Sequence, residues 1–285
     1  MDISTRFFPQ KMVNCKDNFF RNRQMRIDYD FHIHTEYCGH APGMTVEAVC
    51  RQADALGLRM IAITDHSYHP QEQAPIEEIR RQVRQARPRC RVIVGAEIDV
   101  DGDYDDGRLA VQNTDNLDYV IAGFHYVPTK GHYPRSPDQR GMDELDFLRV
   151  WEKTLLGIVS NPQIDTLAHP GRLLASCINL DVHSERALGI FKEAAILSAR
   201  HQIAWELNEL TGERIPESWH PFWVNLYQIA LEQGVRLIYG SDAHEPESIG
   251  SCTFVQTVLR QLPAGCLSAP EDLPAARRWN YPISS

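Results

Sequence analysis

The sequence predicts an α/β fold, a single distorted TIM-like (βα)7 barrel in which parallel strands and helices alternate. Seven short apolar runs recur along the chain, at residues 26–34, 58–66, 91–99, 117–125, 164–169, 202–208 and 235–242. Several runs are nearly continuous in Ile, Val, Leu and aromatic residues, which is typical of parallel strands covered on both faces. Histidine or acidic residues follow nearly all of them, and only a ring of strands brings that many ends together. A barrel with its site at the carboxyl ends of the strands is therefore favoured over an open sheet.

Helical patterns fill the intervals between the runs. In the first interval, Val46, Val49 and Ala53 share one face, Thr45 is the expected N-cap and Gly57 the expected stop. Further helices are predicted at residues 75–86, 143–160, 184–200 and 221–233. Two loops, 127–140 and 173–184, are expected to form the rim that sets substrate preference.

One domain accounts for most of the chain, because 285 residues of which 43% are hydrophobic support a core of barrel size. We predict an N-terminal extension at residues 1–25, the barrel at 26–262, and a proline-rich C-terminal tail at 263–285 that packs on or over the barrel. The N-terminal segment lacks the apolar stretch of a signal peptide. No window reaches the roughly 18 consecutive apolar residues of a membrane helix.

The composition narrows the class of partner. The 29 basic and 38 acidic residues give a net charge of −9, which argues against a protein that grips a nucleic-acid backbone. Small anionic substrates remain compatible, because a local metal charge outweighs the global balance. The seven cysteines are odd in number and form no CxxC pair, which is typical of reduced thiols. These features predict a soluble cytoplasmic protein without a membrane or nucleic-acid partner, and they leave the oligomeric state open.

Nine side chains of metal-ligand type stand at or just beyond the ends of the runs. They are His32, His34, His40, His66, Glu97, His125, His169, Asp242 and His244. Imidazole and carboxylate are ligands that zinc, manganese and iron accept. Residues two apart in a strand face the same side, so the pair His32 and His34 can meet one ion. Nine ligands are too many for one tetrahedral ion and indicate two or three.

For some of these residues the sequence also allows another interpretation. By itself His40 reads slightly better as an exposed loop histidine, and we assign it to a peripheral third ion because of its neighbours. Asp65 is expected to orient His66 from outside the metal shell. Glu97 is preferred over Asp99, because a bend at the strand end would take Asp99 into the loop. The remaining histidines lack the strand-end position and are expected in surface or packing roles; they are His69, His132, His183, His201 and His220. Among them, His132 could also reach the site from its long loop.

The ordered segments HIHTEYCGHA, AITDH, GAE, AGFH, AHP and GSDAH resemble the successive motifs of the PHP (polymerase and histidinol phosphatase) metal-dependent phosphoesterases. The resemblance spans about residues 26–250 and implies a distorted (βα)7 barrel with a trinuclear centre of zinc, manganese or iron. By that similarity the first ion is held by His32, His34, Glu97 and Asp242. Glu97 bridges to a second ion that His125 and His169 also hold, and the third is held by His40, His66 and His244.

This resemblance implies a hydrolase, a metal-dependent phosphatase that cleaves a small phosphomonoester through a metal-bridging hydroxide. Glu97, Asp242 and His244 are the catalytic candidates, and a ligating His or Asp freed on turnover could supply the proton for the leaving alkoxide. Arg172 is the first candidate for phosphate binding and Arg214 the second; the alternative for each is a surface cation.

Two other functions remain open from the sequence. A phosphodiesterase or nuclease acting on nucleotides or nucleic-acid ends would need a basic groove, against which the acidic balance weighs. A non-catalytic metal-binding module would hold metal without turning over any phosphate ester. A metal-dependent amidase on a similar barrel usually carries a lysine near its metals, and none of the strand ends here provides one.

Overall fold

The computed structural model describes residues 26–126 and 143–279. The predicted N-terminal extension, the loop at 127–140 and His132 lie outside these residues. The strands are β1 (Tyr29–Ile33), β2 (Met60–Ile63), β3 (His66–Ser67), β4 (Arg91–Val94), β5 (Ala96–Asp99), β6 (Val120–Gly123), β7 (Thr166–Leu167), β8 (Ala204–Asn208) and β9 (Leu237–Gly240). The α-helices are α1 (Val46–Leu56), α2 (Ile76–Ala86), α3 (Glu144–Ile158), α4 (Arg172–Ala175), α5 (Leu180–His201), α6 (Glu209–Arg214), α7 (His220–Glu232) and α8 (Thr253–Leu259).

All strand pairs are parallel, so the predicted α/β fold is confirmed. The strands form two sheets, in the orders β1-β2-β4 and β3-β5-β6-β7-β8-β9. The chain passes from the first sheet to the second twice, between β2 and β3 and between β4 and β5. Gly95 stands at the second passage, where a Cβ would lie 2.1 Å from the main-chain oxygen of Tyr119.

The first and last strands also meet. The N–H of Asp242 donates to the oxygen of His32 at 2.8 Å, and the N–H of His34 donates to the oxygen of Ala243 at 3.0 Å. Ile33 and Ala243 form an isolated parallel bridge. These bonds bring the carboxyl end of β1 beside the segment that follows β9.

The helices differ from the sequence prediction in three places. The segment 173–184, expected as a loop, contains most of α4 and the first turn of α5. Helix α5 begins at Leu180 rather than near residue 184, because the Asn179 side chain accepts the N–H of Asp181 as a cap. Helices α6 and α8 were not predicted. Within the described residues, no helix has both the length and the apolar character needed to cross a membrane.

The C-terminal segment lies against the amino ends of the strands. Trp279 is 2% exposed, contacts the Phe31 ring at 5.5 Å between centroids, and donates its indole N–H to the oxygen of Asp118 at 2.8 Å. The N–H of Ser268 donates to the oxygen of Leu237, the first residue of β9, at 2.8 Å. The predicted site residues lie at the opposite, carboxyl ends.

Candidate metal centre

The strand ends bring the nine predicted ligands together, and two of them have a strained backbone. His169 has a φ of 28° and Asp242 a φ of 59°, in the left-handed region that L-residues rarely adopt. Such conformations cost about 1–3 kcal/mol each and persist where the surrounding structure enforces them. Here the hydrogen bond from Asp242 N–H to the His32 oxygen fixes one of these turns.

The first group of donor atoms is formed by His32, His34, Glu97 and Asp242. His32 Nε2 lies 3.0 Å from His34 Nε2 and 3.2 Å from Glu97 Oε2. Asp242 Oδ1 lies 3.2 Å from His34 Nε2 and 3.6 Å from His32 Nε2. Four donor atoms therefore face one point between β1, β5 and the end of β9.

The second group uses the other oxygen of Glu97. Glu97 Oε1 lies 2.8 Å from His169 Nε2 and 3.3 Å from His125 Nε2. Because its two oxygens face different imidazoles, Glu97 stands between the first group and the second. This is the position from which a carboxylate bridges two ions.

The third group lies on the side of the turn that follows β1. The His40 ring centroid is 5.1 Å from that of His66 and 4.7 Å from that of His244. Donor atoms of His34, His66 and His244 all lie within 4.8 Å of one another, and so do those of Cys38, His40 and His244. His40 is therefore part of the cluster and not an isolated loop histidine.

Acceptors on Nδ1 orient four of the seven imidazoles. His40 Nδ1 donates to the main-chain oxygen of Cys38 at 2.8 Å, and His244 Nδ1 donates to that of Asp242 at 2.9 Å. A carbonyl only accepts, so Nδ1 is the donor nitrogen of each of these rings, and Nε2 is the nitrogen that could bind an ion. Carboxylates occupy the same place at the other two rings, Glu206 at His32 (2.7 Å) and Asp99 at His125 (2.5 Å).

The sequence interpretation missed Glu206 and misplaced Asp99. Asp99 stays within β5, is fully buried, and contacts the His125 ring rather than moving into the loop. Glu206 also accepts the main-chain N–H of His169 at 2.7 Å. The available signal was a charged residue inside the apolar run of β8, since a buried carboxylate needs a partner.

Asp65 has a different partner from the one expected. Its two oxygens accept the main-chain N–H and the hydroxyl of Thr35, each at 2.5 Å. No hydrogen bond joins it to the His66 ring within the described parts of the chain. Asp65 therefore ties the turn after β1 to the end of β2, and positions the cluster through the backbone.

The two carboxylates of the cluster, Glu97 and Asp242, keep their charge although they are buried. Burial alone would raise the pKa of Glu97, but the neighbouring imidazoles, His32 foremost, lower it well below the usual value. Burial likewise opposes ionisation of Asp242, and His32 and Arg172 lower its pKa well below the usual value. Two negative charges thus stand at the centre of the cluster.

Several imidazoles of the cluster are neutral, and some of the ring nitrogens have no hydrogen-bond partner within the described part of the chain. Burial lowers the pKa of His34 to about 4 and that of His169 to about 3. Among the described residues, His34 Nδ1, His66 Nδ1 and His244 Nε2 are buried without a hydrogen-bond partner. Neutral imidazoles beside ionised carboxylates are the donor set that divalent cations bind. The residues present therefore fit metal ions.

The two predicted phosphate-binding arginines differ in position. Arg172 begins α4, its Nη1 donates to Asp242 Oδ2 at 2.5 Å, and its Nη2 lies 3.2 Å from His125 Nε2. Arg214 ends α6 and is exposed, with no hydrogen bond or ion pair to the cluster in the described regions. The fold brings Arg172 to the cluster of predicted ligands and leaves Arg214 outside it.

A cavity opens beside the third group. It has a volume of about 390 Å³, and its walls include His40, Tyr68, His69, Glu72 and Tyr126. The Tyr68 ring stacks on the His66 ring at 4.7 Å between centroids. The cavity thus adjoins the cluster and has the volume of a small-molecule site.

Comparisons with known proteins agree with this geometry. The family model described as the PHP domain matches residues 30–209. A probable phosphatase of Acetivibrio thermocellus is 25% identical over 254 residues, which cover 85% of this chain and 90% of that protein. A probable histidinol-phosphatase of Deinococcus radiodurans is 28% identical over 237 residues, covering 78% and 88%.

A similar fold has been solved for the histidinol phosphate phosphatase of Lactococcus lactis, complexed with zinc, L-histidinol and phosphate. The TM-score is 0.61 at 17% identity, and the match covers 81% of this chain and 94% of that one. At 17% sequence identity, this match is evidence for a shared fold alone.

Proposed function

This chain belongs to the PHP domain family, and from that premise we propose that it is a metal-dependent phosphatase that hydrolyses a small phosphomonoester at a trinuclear centre. The observation that carries the proposal is the position of Glu97, whose two oxygens face two separate groups of imidazoles while a third group lies beside them. The names of the phosphatase relatives support the same activity.

Three divalent ions, of zinc, manganese or iron, have a donor set each. His32, His34, Glu97 and Asp242 would hold the first; Glu97, His125 and His169 the second; His40, His66 and His244 the third. Ions bound there lower the pKa of water towards about 7 and offset phosphoryl charge. The zinc in the Lactococcus relative supports zinc as one occupant.

The side chains of this protein orient the ester and move its proton. Arg172 is permanently charged and reaches both Asp242 and His125, so it lies where a phosphoryl oxygen would approach the cluster. The leaving alkoxide needs a proton, and we assign that transfer to Asp242 or His244: the ionised carboxylate of Asp242 or the free Nε2 of His244 would first take the proton that the attacking water releases and would then pass it to the alkoxide. Phosphate binding by Arg214, which is exposed at the end of α6, remains a prediction.

The cavity supports a small leaving group. A volume of about 390 Å³ suits a compact alcohol whose phosphate reaches the cluster. Glu72 and two tyrosines in its walls favour a polar or aromatic alcohol over a long polymer. Histidinol phosphate is one candidate, by analogy with the relatives.

The proposal includes a closed (βα)7 barrel. Its support is the pair of hydrogen bonds between β1 and the segment after β9, together with two places where the chain crosses between sheets. Closure explains why donors from the first and last strands face one point.

The test is phosphate release from an aryl phosphate, histidinol phosphate, sugar phosphates and nucleotides by metal-loaded protein. Loss of a ligand removes several kcal/mol of stabilisation of the transition state, so His32→Ala and Asp242→Ala should each lower the rate by about 10³-fold or more. His201→Ala alters an exposed histidine at the end of α5 and should leave the rate unchanged. Turnover that survives both ligand changes would refute the proposal, and preferential cleavage of nucleic-acid ends would indicate the diesterase alternative.

A further inference from the structure

The geometry points to a further ligand in the third group: we infer that the Cys38 thiol binds the ion held by His40, His66 and His244, and so makes that position selective for a thiophilic ion such as zinc. The inference rests on the metal centre of the proposed function and adds a donor that the nine-ligand pattern does not contain.

The first support is distance. The sulfur of Cys38 and donor atoms of His40 and His244 all lie within 4.8 Å of one another. The sulfur also forms such a group with His34 and Asp65. Among the described residues, Cys38 is the one cysteine in any group of donors, although five other cysteines are described there.

The second support is unused bonding capacity at the same place. His34 is fully buried and its Nδ1 has no hydrogen-bond partner among the described residues. His244 Nε2 is likewise buried and unpartnered within that part of the chain. An unpaired buried nitrogen costs free energy, and an ion bound between the Cys38 sulfur and His244 Nε2 would recover that cost at His244.

The local backbone explains why the thiol faces inward. Residues Glu36–Cys38 form a 3₁₀ turn that begins at Thr35, and Asp65 holds Thr35 in place with two hydrogen bonds. Gly39 ends the turn with a φ of 82°, a conformation that a residue with a Cβ adopts at a cost. The turn leaves the Cys38 side chain 8% exposed, on the side of His40.

The chemistry distinguishes this position from the other two. The first and second groups contain imidazole and carboxylate alone, which accept zinc, manganese and iron with little discrimination. A thiolate is a soft donor that favours zinc over manganese. On binding, the ion replaces the thiol proton, which is released to solvent.

The experiment uses the full-length protein reloaded with cobalt(II) and, separately, with cadmium. A thiolate ligand gives cobalt an intense charge-transfer absorption in the near ultraviolet, and it moves one cadmium NMR resonance far downfield of those of nitrogen- and oxygen-bound ions. Both signals should be present in the wild type and absent in Cys38→Ser. The matched control, Cys266→Ser, changes a half-buried cysteine in the C-terminal segment and should retain both.

Metal competition provides the second measurement. Cys38→Ser should lower the preference for zinc over manganese at one position by about 10-fold or more, because even outer-shell changes at metal sites cost about 10–100-fold. A wild-type protein with three bound ions and neither sulfur signal would overturn the inference, whether or not the variant folds. Phosphatase activity without the sulfur signals would refute this inference alone, whereas the sulfur signals without turnover would refute the proposed function alone.

Discussion

A histidine ring is well placed to bind a metal ion when a hydrogen bond fixes one of its nitrogens and the other nitrogen is free to bind the ion. At His40 and His244 main-chain oxygens hold Nδ1, and at His32 and His125 the carboxylates Glu206 and Asp99 do so. These contacts set the tautomer and the ring direction before any ion arrives. The cluster is therefore pre-organised by groups outside the donor sets, namely two main-chain oxygens and the carboxylates of Glu206 and Asp99.

Glu206→Gln tests this outer layer. The carboxylate of Glu206 contacts His32 Nδ1 at 2.7 Å and accepts the N–H of His169 at 2.7 Å. An amide of the same shape loses the charge that increases the basicity of the His32 ring. We expect metal affinity and kcat to fall by about 10–100-fold, with the fold retained. Metal content after dialysis, measured beside the rate, checks this.

Glu185→Gln is the control, because Glu185 is exposed on α5 and its replacement should alter neither quantity. A Glu206→Gln protein with unchanged metal affinity would mean that the ring of His32 is oriented by the strand alone.

The convergence of the nine predicted ligands could be foreseen from the sequence, whereas the partners that hold their rings could not. Histidine and acidic residues at the ends of apolar runs are few, and the ends of parallel strands share one edge. The partner of His32 is Glu206, 174 residues away in sequence, and pairing them requires the order of the strands in space. The sequence interpretation paired Asp65 with His66 because the two are adjacent in the chain. In the folded protein Asp65, which follows β2, instead accepts two hydrogen bonds from Thr35, which follows the neighbouring strand β1.

At the scale of the strand, two glycines make room for the cluster. A Cβ on Gly240, the last residue of β9, would lie 2.2 Å from Glu206 Oε1 and 2.6 Å from His32 Cβ. A Cβ on Gly123, which ends β6, would lie 2.7 Å from Asp99 Oδ1 and 2.7 Å from His125 Cε1. The sequence pattern alone does not indicate these requirements, because they depend on side chains of neighbouring strands.

Gly240→Ala should therefore damage the centre more than a glycine replacement elsewhere. The added methyl must displace either the Glu206 carboxylate or β1, which costs about 1–3 kcal/mol of unfolding free energy. Bound metal should fall with it. The matched control is Gly189→Ala in α5, where a Cβ meets nothing within 4 Å. It should raise the unfolding free energy by about 0.5–1 kcal/mol. Urea unfolding and metal analysis give both numbers, and equal metal content in the two variants would contradict this account.

Helices could be predicted from the sequence where the periodic pattern of apolar residues extended over several turns. The interval before β2 yields α1 at Val46–Leu56 with Thr45 and Gly57 as its caps, as the sequence predicts. Helices α4, α6 and α8 contain 4, 6 and 7 residues, too few turns for an apolar stripe to be recognised. Tertiary contacts set the ends of these short helices. At the start of α8, for example, the main-chain N–H groups of Phe254 and Val255 donate to the Glu209 carboxylate at 2.9 Å each.

At the scale of the whole molecule, different parts of the chain lie at the two ends of the strands. The carboxyl ends hold the predicted ligands, while the amino ends are covered by the segment that leads to Trp279. Arg278 pairs with Asp165, and Arg91 donates to the main-chain oxygen of Trp279. The sequence predicted a tail on or over the barrel from its prolines, but not which end it would cover.

Trp279→Ala separates stability from the metal centre. Trp279 is 2% exposed, packs on Phe31, and bonds to Asp118 before β6, so its truncation leaves a cavity under the amino ends of the strands. We expect the free energy of unfolding to fall by about 3–5 kcal/mol. The ligands lie at the far ends of the same strands, so metal affinity and kcat measured well below the melting temperature should stay near wild type. Ala264→Ser, at an exposed position of the same C-terminal segment, should change neither stability nor activity. A variant that lost metal while keeping its stability would show that the two ends are coupled, because the strands between them would then transmit the change.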